Sequence, residues 1–386
     1  MNSGSRSSAV PAADADVLTF PRVATVSGPT VSRRTKIAEF ADFTFQPQVS
    51  DVPEVEPGVI AIDIGSAAIK GAIVVGWRHP DASPERTVAP GVQGAGGALK
   101  SVKPPDSPRI LMSRSVETPL QAGPSAIVAA VIELISGLLR DALGVVTVKG
   151  IGIGAPGVVD GGAGIVRTAQ SLGWADVPLG QLVHEQFDQP VGVGQDVRAA
   201  ALAEWRWGAG RGKPDMVFVA AGSGVASAVI VDGNLVYGDG YAGEIGHGGG
   251  VSGELCSCGG RGCLETYASG GAIARLYEQA AGRSVDGADE VVALADDGDA
   301  QAQQIWERAV DGLAEAISAI VRLLGAPRVV IGGGMVNAED SLMVPLAAGV
   351  RSRLTIHRPA EVLPAAMGSR AGLYGAAMLG VQAANA

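Results

Sequence analysis

Val59-Ile60-Ala61-Ile62-Asp63-Ile64-Gly65-Ser66-Ala67-Ala68-Ile69-Lys70-Gly71-Ala72-Ile73-Val74-Val75 decides the fold class. Two apolar, β-branched runs, 59–65 and 68–75, flank a turn of small residues, Gly65-Ser66-Ala67, which is the pattern of a strand hairpin. A second unit of the same design spans 216–221 and 225–231, joined through Ala221-Gly222-Ser223-Gly224. A further strand at 235–237 follows the hairpin turn Asp232-Gly233-Asn234. Strands are also expected at 109–116, 150–155, 191–194 and 328–331. Helices are expected at 124–143, 199–207, 266–282, 288–296, 299–324 and 369–382. A hairpin, more strands and then helices occur twice, which predicts a duplicated α/β fold. A cleft between the halves would bring the two Gly/Ser turns face to face.

A chain of 386 residues can bury two ordinary cores. A formal net charge of −10 and a pI near 5.0 argue against a nucleic-acid partner, which needs a basic surface. The mean hydropathy of +0.26 raises the question of a membrane. The best apolar stretch, 126–146, is interrupted by Glu133, Arg140 and Asp141 and reads as an amphipathic helix, so no membrane is expected. The N-terminus lacks a positive-then-apolar leader pattern, so a cytoplasmic protein is expected. Residues 1–57, rich in Ser, Pro, Ala, Val and Thr, read as a disordered or docking extension. The Pro- and Gly-crowded stretch 79–108 reads as a long surface loop.

All three cysteines fall within eight positions, Cys256-Ser257-Cys258-Gly259-Gly260-Arg261-Gly262-Cys263, and His247 lies nine residues before the first. Three thiolates and an imidazole complete a tetrahedral shell for Zn²⁺ with no position left for water, which implies a structural site. The three glycines would let the loop wrap around one ion through positive φ angles. A disulfide would strand one cysteine.

Small residues at Gly65-Ser66 and Gly222-Ser223-Gly224 let backbone N–H groups approach a phosphate, although tight hairpin turns use the same residues. Asp63 ends an apolar strand, where a carboxylate could hold Mg²⁺ indirectly or cap its own turn. Asp196, between a short strand and a helix, suits either a general base taking a hydroxyl proton or a plain N-cap. Glu244 and Glu265 flank the cysteine loop. They could accept paired hydrogen bonds from vicinal hydroxyls, or be surface acids on a metal-stapled loop. Gly332-Gly333-Gly334 ends a strand and could lie beside a flat ring, or be a strand-to-helix turn.

These elements, in this order over about 58–382, resemble the ROK family of sugar kinases and sugar-responsive repressors. That family belongs to the actin-like ATPase (ribonuclease H-like) superfamily. The strongest part is Gly243-Glu244-Ile245-Gly246-His247 followed by Cys256-x-Cys258-Gly259-x-x-Gly262-Cys263-Leu264-Glu265. Ala155-Pro156-Gly157, Leu172-Gly173-Trp174, Val177-Pro178-Leu179, 196–204 and Ile331-Gly332-Gly333-Gly334 also match. The resemblance implies a two-domain duplicated fold with a zinc-stapled loop, in which ATP phosphorylates a hexose hydroxyl. The smaller domain would be 58–195, completed by a C-terminal helix at 369–386, and the larger 196–368.

Carried over, Asp196 would be the general base. Gln195, Glu244, His247, Glu265 and Gly157 would line the sugar site. Asp63, Gly65, Ser66, Gly222, Ser223 and Gly224 would hold the phosphates and Mg²⁺, and Gly333 and Gly334 the adenosine. His247, Cys256, Cys258 and Cys263 would bind zinc. A homodimer or homotetramer is implied. The departures fall in the nucleotide loops. The family usually reads Asp-x-Gly-Gly-Thr-Lys, where this chain has Asp63-Ile64-Gly65-Ser66-Ala67-Ala68, and Ala226 replaces a glycine of the second loop. On the sugar side, Gln195 and Arg198 stand where asparagines are usual, and Ser171 where one is often found. Two functions follow: an ATP-dependent hexose kinase, or a sugar-sensing regulator that has lost catalysis and acts through a partner.

Overall fold

The computed structural model describes residues 55–77, 108–249 and 252–386. The expected N-terminal extension, apart from its last three residues, and the expected 79–108 loop, apart from Pro108, lie outside the described residues. The opening hairpin forms as its pattern requires. β1 (Glu56–Ile64) pairs antiparallel with β2 (Ala68–Val75), Ile64 opposite Ile69, and β3 (Arg109–Glu117) adds antiparallel to β2. The first sheet therefore claims Glu56 and Pro57 from the expected extension.

After α1 (Pro124–Ala142), β4 (Val146–Ala155) runs parallel to β1. Three short strands, β5 (Val158–Asp160), β6 (Ile165–Ala169) and β7 (Trp174–Val177), make a separate antiparallel sheet. α2 (Leu179–His184) and β8 (Val191–Gln195) follow, and β8 is parallel to β4. The order of the first sheet is β3-β2-β1-β4-β8.

α3 (Asp196–Trp207) leads to β9 (Met216–Ala221), β10 (Val225–Val231) and β11 (Asn234–Leu235). Asp232 and Gly233 both take positive φ between β10 and β11, as a two-residue hairpin loop demands. Helices α4 (Glu265–Ala268), α5 (Gly270–Ala281), α6 (Ala288–Asp296) and α7 (Ala300–Leu324) precede β12 (Arg328–Gly332). The chain continues through α8 (Asp340–Ser352), β13 (Glu361–Pro364) and α9 (Ala371–Ala384). The second sheet has the order β11-β10-β9-β12-β13. Each sheet thus carries an antiparallel trio and two parallel strands in matching places, which is the duplication the two hairpins suggested.

The differences from the sequence pattern have local causes. The small sheet has strands of three to five residues, too short for a period to register. The expected helix 266–282 breaks at Ser269, whose hydroxyl accepts from the Ala272 N–H and starts α5 afresh. The strand expected at 235–237 stops at Leu235, and α8 and β13 had no counterpart in the expectation. Among the described residues no helix is long and apolar enough to cross a membrane.

Glycines decide how α9 docks. Gly150, Gly152 and Gly192 on β4 and β8 face the backbone of α9, and a side chain at Gly152 would overlap the Ala376 carbonyl. On the other side of the helix, a side chain at Gly375 would overlap the Ala199 carbonyl of α3. α9 is therefore held at backbone contact between the first sheet and α3. The opposite face of the sheet carries α1, where Leu134 and Leu138 pack over Gly71.

Replacing Gly152 by valine should push α9 off the sheet and destabilise the protein by about 3 kcal/mol, the upper range for overpacking. Gly137→Ala in α1, where the new methyl meets only Arg140 Nη2 at 3.9 Å, should change stability by at most about 1 kcal/mol. Urea unfolding of the two variants beside the parent protein checks both signs.

Candidate active site

The apolar strand β1 delivers Asp63 to the register position opposite Gly154 of β4, and β8 ends at Gln195, immediately before Asp196. Gly154 leaves the lane between the two carboxylates open; a methyl there would lie 3.4 Å from Asp196 Cα. The N-cap of α3 is Gln195, whose Oε1 accepts from Arg198 N at 2.9 Å. The alternative of Asp196 as the plain cap is thereby corrected. Asp196 is the first helical residue, and its Oδ1 takes only the Val197 N–H, at 2.7 Å.

Burial pushes the Asp196 carboxyl up to about 7, helped by the neighbouring Asp63 and Glu244 charges. The Val197 N–H and Arg198 act the other way. Burial also raises Asp63, against the opposing pull of Lys70. Glu244 is raised by burial too, with His247 and Arg198 opposing. Its Oε1 is buried and has no hydrogen-bond partner among the described residues. A buried acceptor without a donor is costly, and a ligand hydroxyl would satisfy it.

Arg198 is a functional neighbour that sequence reasoning passed over as a mere departure. It is 3% exposed and donates to the carbonyls of Tyr237 at 3.4 Å and Gly240 at 3.2 Å. Its guanidinium lies 5.8 Å over the Tyr237 ring. Farther along the same strap, Gly243 is held by Ser227, whose N and Oγ both donate to the Gly243 carbonyl. The segment that presents Glu244 is therefore fastened to α3 at one end and to β10 at the other. A charged residue at a buried helical position beside Asp196 was the available signal.

The four residues expected to ligate a metal converge. One donor atom each from His247, Cys256, Cys258 and Cys263 lies within 4.8 Å of the others. Cys258 and Cys263 sulfurs are 3.6 Å apart, and Cys256 Sγ is 3.5 Å from His247 Nδ1. Zn–S bonds of about 2.3 Å in a tetrahedron give edges of about 3.8 Å, so the donor set fits this ion. Burial and the two neighbouring thiols push the Cys263 thiol up to about 12. Gly259 and Gly262 take positive φ as expected, whereas Gly260 does not. Gly260 is needed for space instead: a methyl there would lie 3.3 Å from both the Cys258 and Cys263 sulfurs.

His247 points its other nitrogen, Nε2, at Glu265 Oε1, 3.9 Å away. Glu265 Oε2 accepts the Val225 N–H at 2.9 Å. One carboxylate thus links the cysteine loop to the turn at Gly222-Ser223-Gly224. That turn closes through Gly222 N to Gly224 O, and the Gly222 carbonyl takes the Gly270 N–H that begins α5. Gly333, at positive φ, lies against the Ala221 carbonyl, and a methyl at Gly222 would stand 3.3 Å from Gly334 N. The second turn and the glycine triplet are therefore neighbours.

In the first turn, Gly65 N bonds to Ala68 O, which leaves Ser66 and Ala67 at its tip. Thr118, unremarked in the sequence, pins this turn through its hydroxyl to Gly65 O at 2.6 Å and its N–H to Ala67 O. Gly157 takes positive φ and packs on the Thr168 carbonyl, which excludes any side chain.

Residues 105–383 match the family model described as "ROK family". A glucokinase of Halalkalibacterium halodurans is 34% identical over 61% of this chain and 77% of its own length. A xylose repressor of Caldicellulosiruptor bescii is 36% identical over 36% of this chain and 35% of its own. Among solved structures, a ROK family glucokinase from Streptomyces griseus, in complex with glucose and AMPPNP, superposes with a TM-score of 0.67 at 29% identity. That superposition covers 84% of this chain and 99% of the glucokinase.

The raised Asp196 has a consequence for stability. Between about pH 4 and 7 the folded protein holds a proton that the unfolded chain releases, so this group lowers stability as pH rises through that window. Asp196→Asn should therefore melt above the parent protein at pH 8, with the difference closing below pH 4. Thermal melts at the two pH values check it.

Proposed function

The chain belongs to the ROK family, and from that premise we propose that it transfers the γ-phosphoryl group of ATP to a hexose hydroxyl. The observation that carries this reading is the Asp196 carboxyl, at the end of β8 and tuned to about 7 by burial beside Asp63 and Glu244. A base with that affinity is half ionised at neutral pH and can accept the hydroxyl proton as the oxygen attacks phosphorus. Phosphoryl transfer otherwise asks for positioning and charge neutralisation.

The open Oε1 of Glu244 accepts a ring hydroxyl, with Glu265, His247, Gln195 and Gly157 around the same sugar. Ser66 of the first turn, and Ser223 and Gly224 of the second, offer backbone N–H groups to the phosphates, while Gly65 and Gly222, whose own N–H groups go to Ala68 O and Gly224 O, shape the two turns around them. Gly333 and Gly334 lie beside the adenosine. Asp63 would hold Mg²⁺, which supplies charge neutralisation on the phosphates when bound. His247 Nδ1 with Cys256, Cys258 and Cys263 would hold Zn²⁺ as a closed structural site, leaving Nε2 for Glu265 and the sugar. We assign 58–195 with α9 to one lobe and 196–368 to the other, in a cytoplasmic homo-oligomer that takes no nucleic acid.

The second reading is a sugar sensor without catalysis, favoured by Ala67 and Ala68 in place of the threonine and lysine usual in the first loop. An ATP-coupled assay across glucose, mannose, N-acetylglucosamine, N-acetylmannosamine and allose separates the two. The kinase reading expects ADP release with at least one sugar. It fails if none exceeds background while calorimetry still detects sugar binding. Asp196→Asn should lose roughly 10²- to 10⁴-fold in kcat. In the parent enzyme kcat should climb with pH through about 7, since the base must lose its proton to act.

Zinc quantified in the same preparation should be one ion per chain. The chelated protein should bind sugar roughly 10-fold or more weakly, as removal of support around a metal-held group does. Unchanged sugar affinity after chelation would sink the clamp.

A further inference from the structure

The family's first loop carries a lysine at the position that is Ala68 here, and a site crowded with acids needs a cation to receive a nucleotide's phosphates. Asp63, Asp196, Glu244 and Glu265 converge on one region, and besides His247 of the cysteine cluster two positive side chains, Lys70 and Arg198, act on these carboxylates. Arg198 is buried, and Nη1 and Nη2 of its guanidinium are spent on the Tyr237 and Gly240 carbonyls. Lys70 forms no ion pair with a described residue.

The register of the first sheet puts Lys70 in line with the site. Lys70 of β2 is directly opposite Asp63 of β1. Asp63 is opposite Gly154 of β4, and Gly154 is opposite Gly194 of β8, two residues before Asp196. Residues in register across a sheet share a face, so one row crosses four strands, with Lys70 at one end and Asp196 just past the other. Neighbouring strands are about 4.8 Å apart, which sets β2 about 14 Å from β8.

The face is settled by the alternation along β2. A side chain at Gly71 would run into Leu134 and Leu138 of α1, so its neighbour Lys70 belongs to the opposite face. That is the face on which Asp63 lies against Gly372 at the start of α9. Lys70 is also only three residues, or about 10 Å of strand, beyond Ala67 at the end of the first turn, with a flexible four-carbon stem to extend its charge.

We propose that Lys70 is the phosphate-binding cation of this protein, standing two residues downstream of the usual place and holding the terminal phosphates of the nucleotide beside Asp63. The inference rests on the kinase reading for the identity of the ligand, but its test does not need turnover. The terminal phosphates bring negative charge to the carboxylate row, and the ammonium neutralises part of it as the bridging oxygen leaves with the ADP. The motif has moved along β2 rather than decayed. Thr118 holds the turn in place through Gly65 and Ala67 while the lysine acts from the strand.

The test uses the full chain with zinc bound, and calorimetry with Mg²⁺ and AMPPNP as the probe. The parent protein should bind the probe. Lys70→Met should bind it, and turn over ATP, about 100-fold less well, the loss seen when one preorganised charge-stabilising donor is removed. Glucose affinity should stay within about 2-fold, and Lys70→Arg should recover part of the loss because it keeps a cation on the same face. Lys149→Met, an exposed lysine elsewhere on β4, is the control for a general effect of removing a charge.

Nucleotide affinity unchanged in Lys70→Met overturns the proposal. So does a parent protein that binds no AMPPNP, or a loss of sugar and nucleotide affinity together with a lowered melting temperature. A loss produced by Arg370→Ala, at the exposed start of α9, and not by Lys70→Met also overturns it. A parent protein that binds AMPPNP but phosphorylates no sugar ends the kinase reading and leaves Lys70 standing.

Discussion

Backbone contact between α9 and the strands of the first sheet is the constraint from which the site follows. Gly150, Gly152 and Gly192 let the backbone of the helix approach strands β4 and β8 with no strand side chain at those positions, and Gly375 does the same toward α3. The last helix of the chain can then lie flat on a sheet built from its beginning. Its first turn brings Gly372 against Asp63, and α3, packed on its other side, starts with Asp196. Shifting α9 outward by one methyl would draw Gly372 away from Asp63 and press on α3, which begins with Asp196. Close packing of this kind transmits small volume changes because protein interiors have few voids to absorb them.

The carboxylates so assembled are uncomfortable neighbours. Asp63, Asp196 and Glu244 are all held above their ordinary range by burial, and Asp196 also by the charges of Asp63 and Glu244. Such an arrangement lowers the stability of the folded chain at neutral pH, which is a usual mark of groups kept for chemistry rather than for folding. Arg198 offsets part of this cost, since its charge favours ionised Asp196 and Glu244 while its guanidinium fastens the 237–240 strap. Glu204 shows the opposite design in the same helix. It is fully buried, but its oxygens accept the backbone N–H groups of Ala209, Ala366 and Met367, so its charge is satisfied and serves only to tie α3 to the chain entering α9.

The cysteine loop acts at a distance through Glu265. Its Oε1 faces His247, and its Oε2 holds the first N–H of β10, at the end of the second small-residue turn. A metal held by His247, as proposed, would therefore also steady Glu265 and, through Val225, the turn at Gly222-Ser223-Gly224. The proposed sugar and phosphate contacts of the second sheet share this one anchor, which couples order at one to order at the other.

The two hairpins, most of the longer helices and the Cys₃His donor set were legible in the sequence, because period, turn chemistry and ligand spacing are local properties. Asp196 was identified as a candidate, but local pattern could not separate a base from an N-cap. The tertiary structure removed the cap reading, by giving the cap to Gln195, and set Asp196 beside Asp63 and Glu244. The small sheet of β5, β6 and β7 escaped notice because strands of three to five residues have too little period to read. Arg198, Thr118 and Lys70 escaped for a different reason: each acquires meaning only through a partner 39 to 53 residues away or across a strand register. Composition and spacing could therefore state which residues this chain has for its chemistry. Which of them stand on one face of one sheet, and which charges are already spent, was decided only when glycine-lined strands let the last helix close on the first.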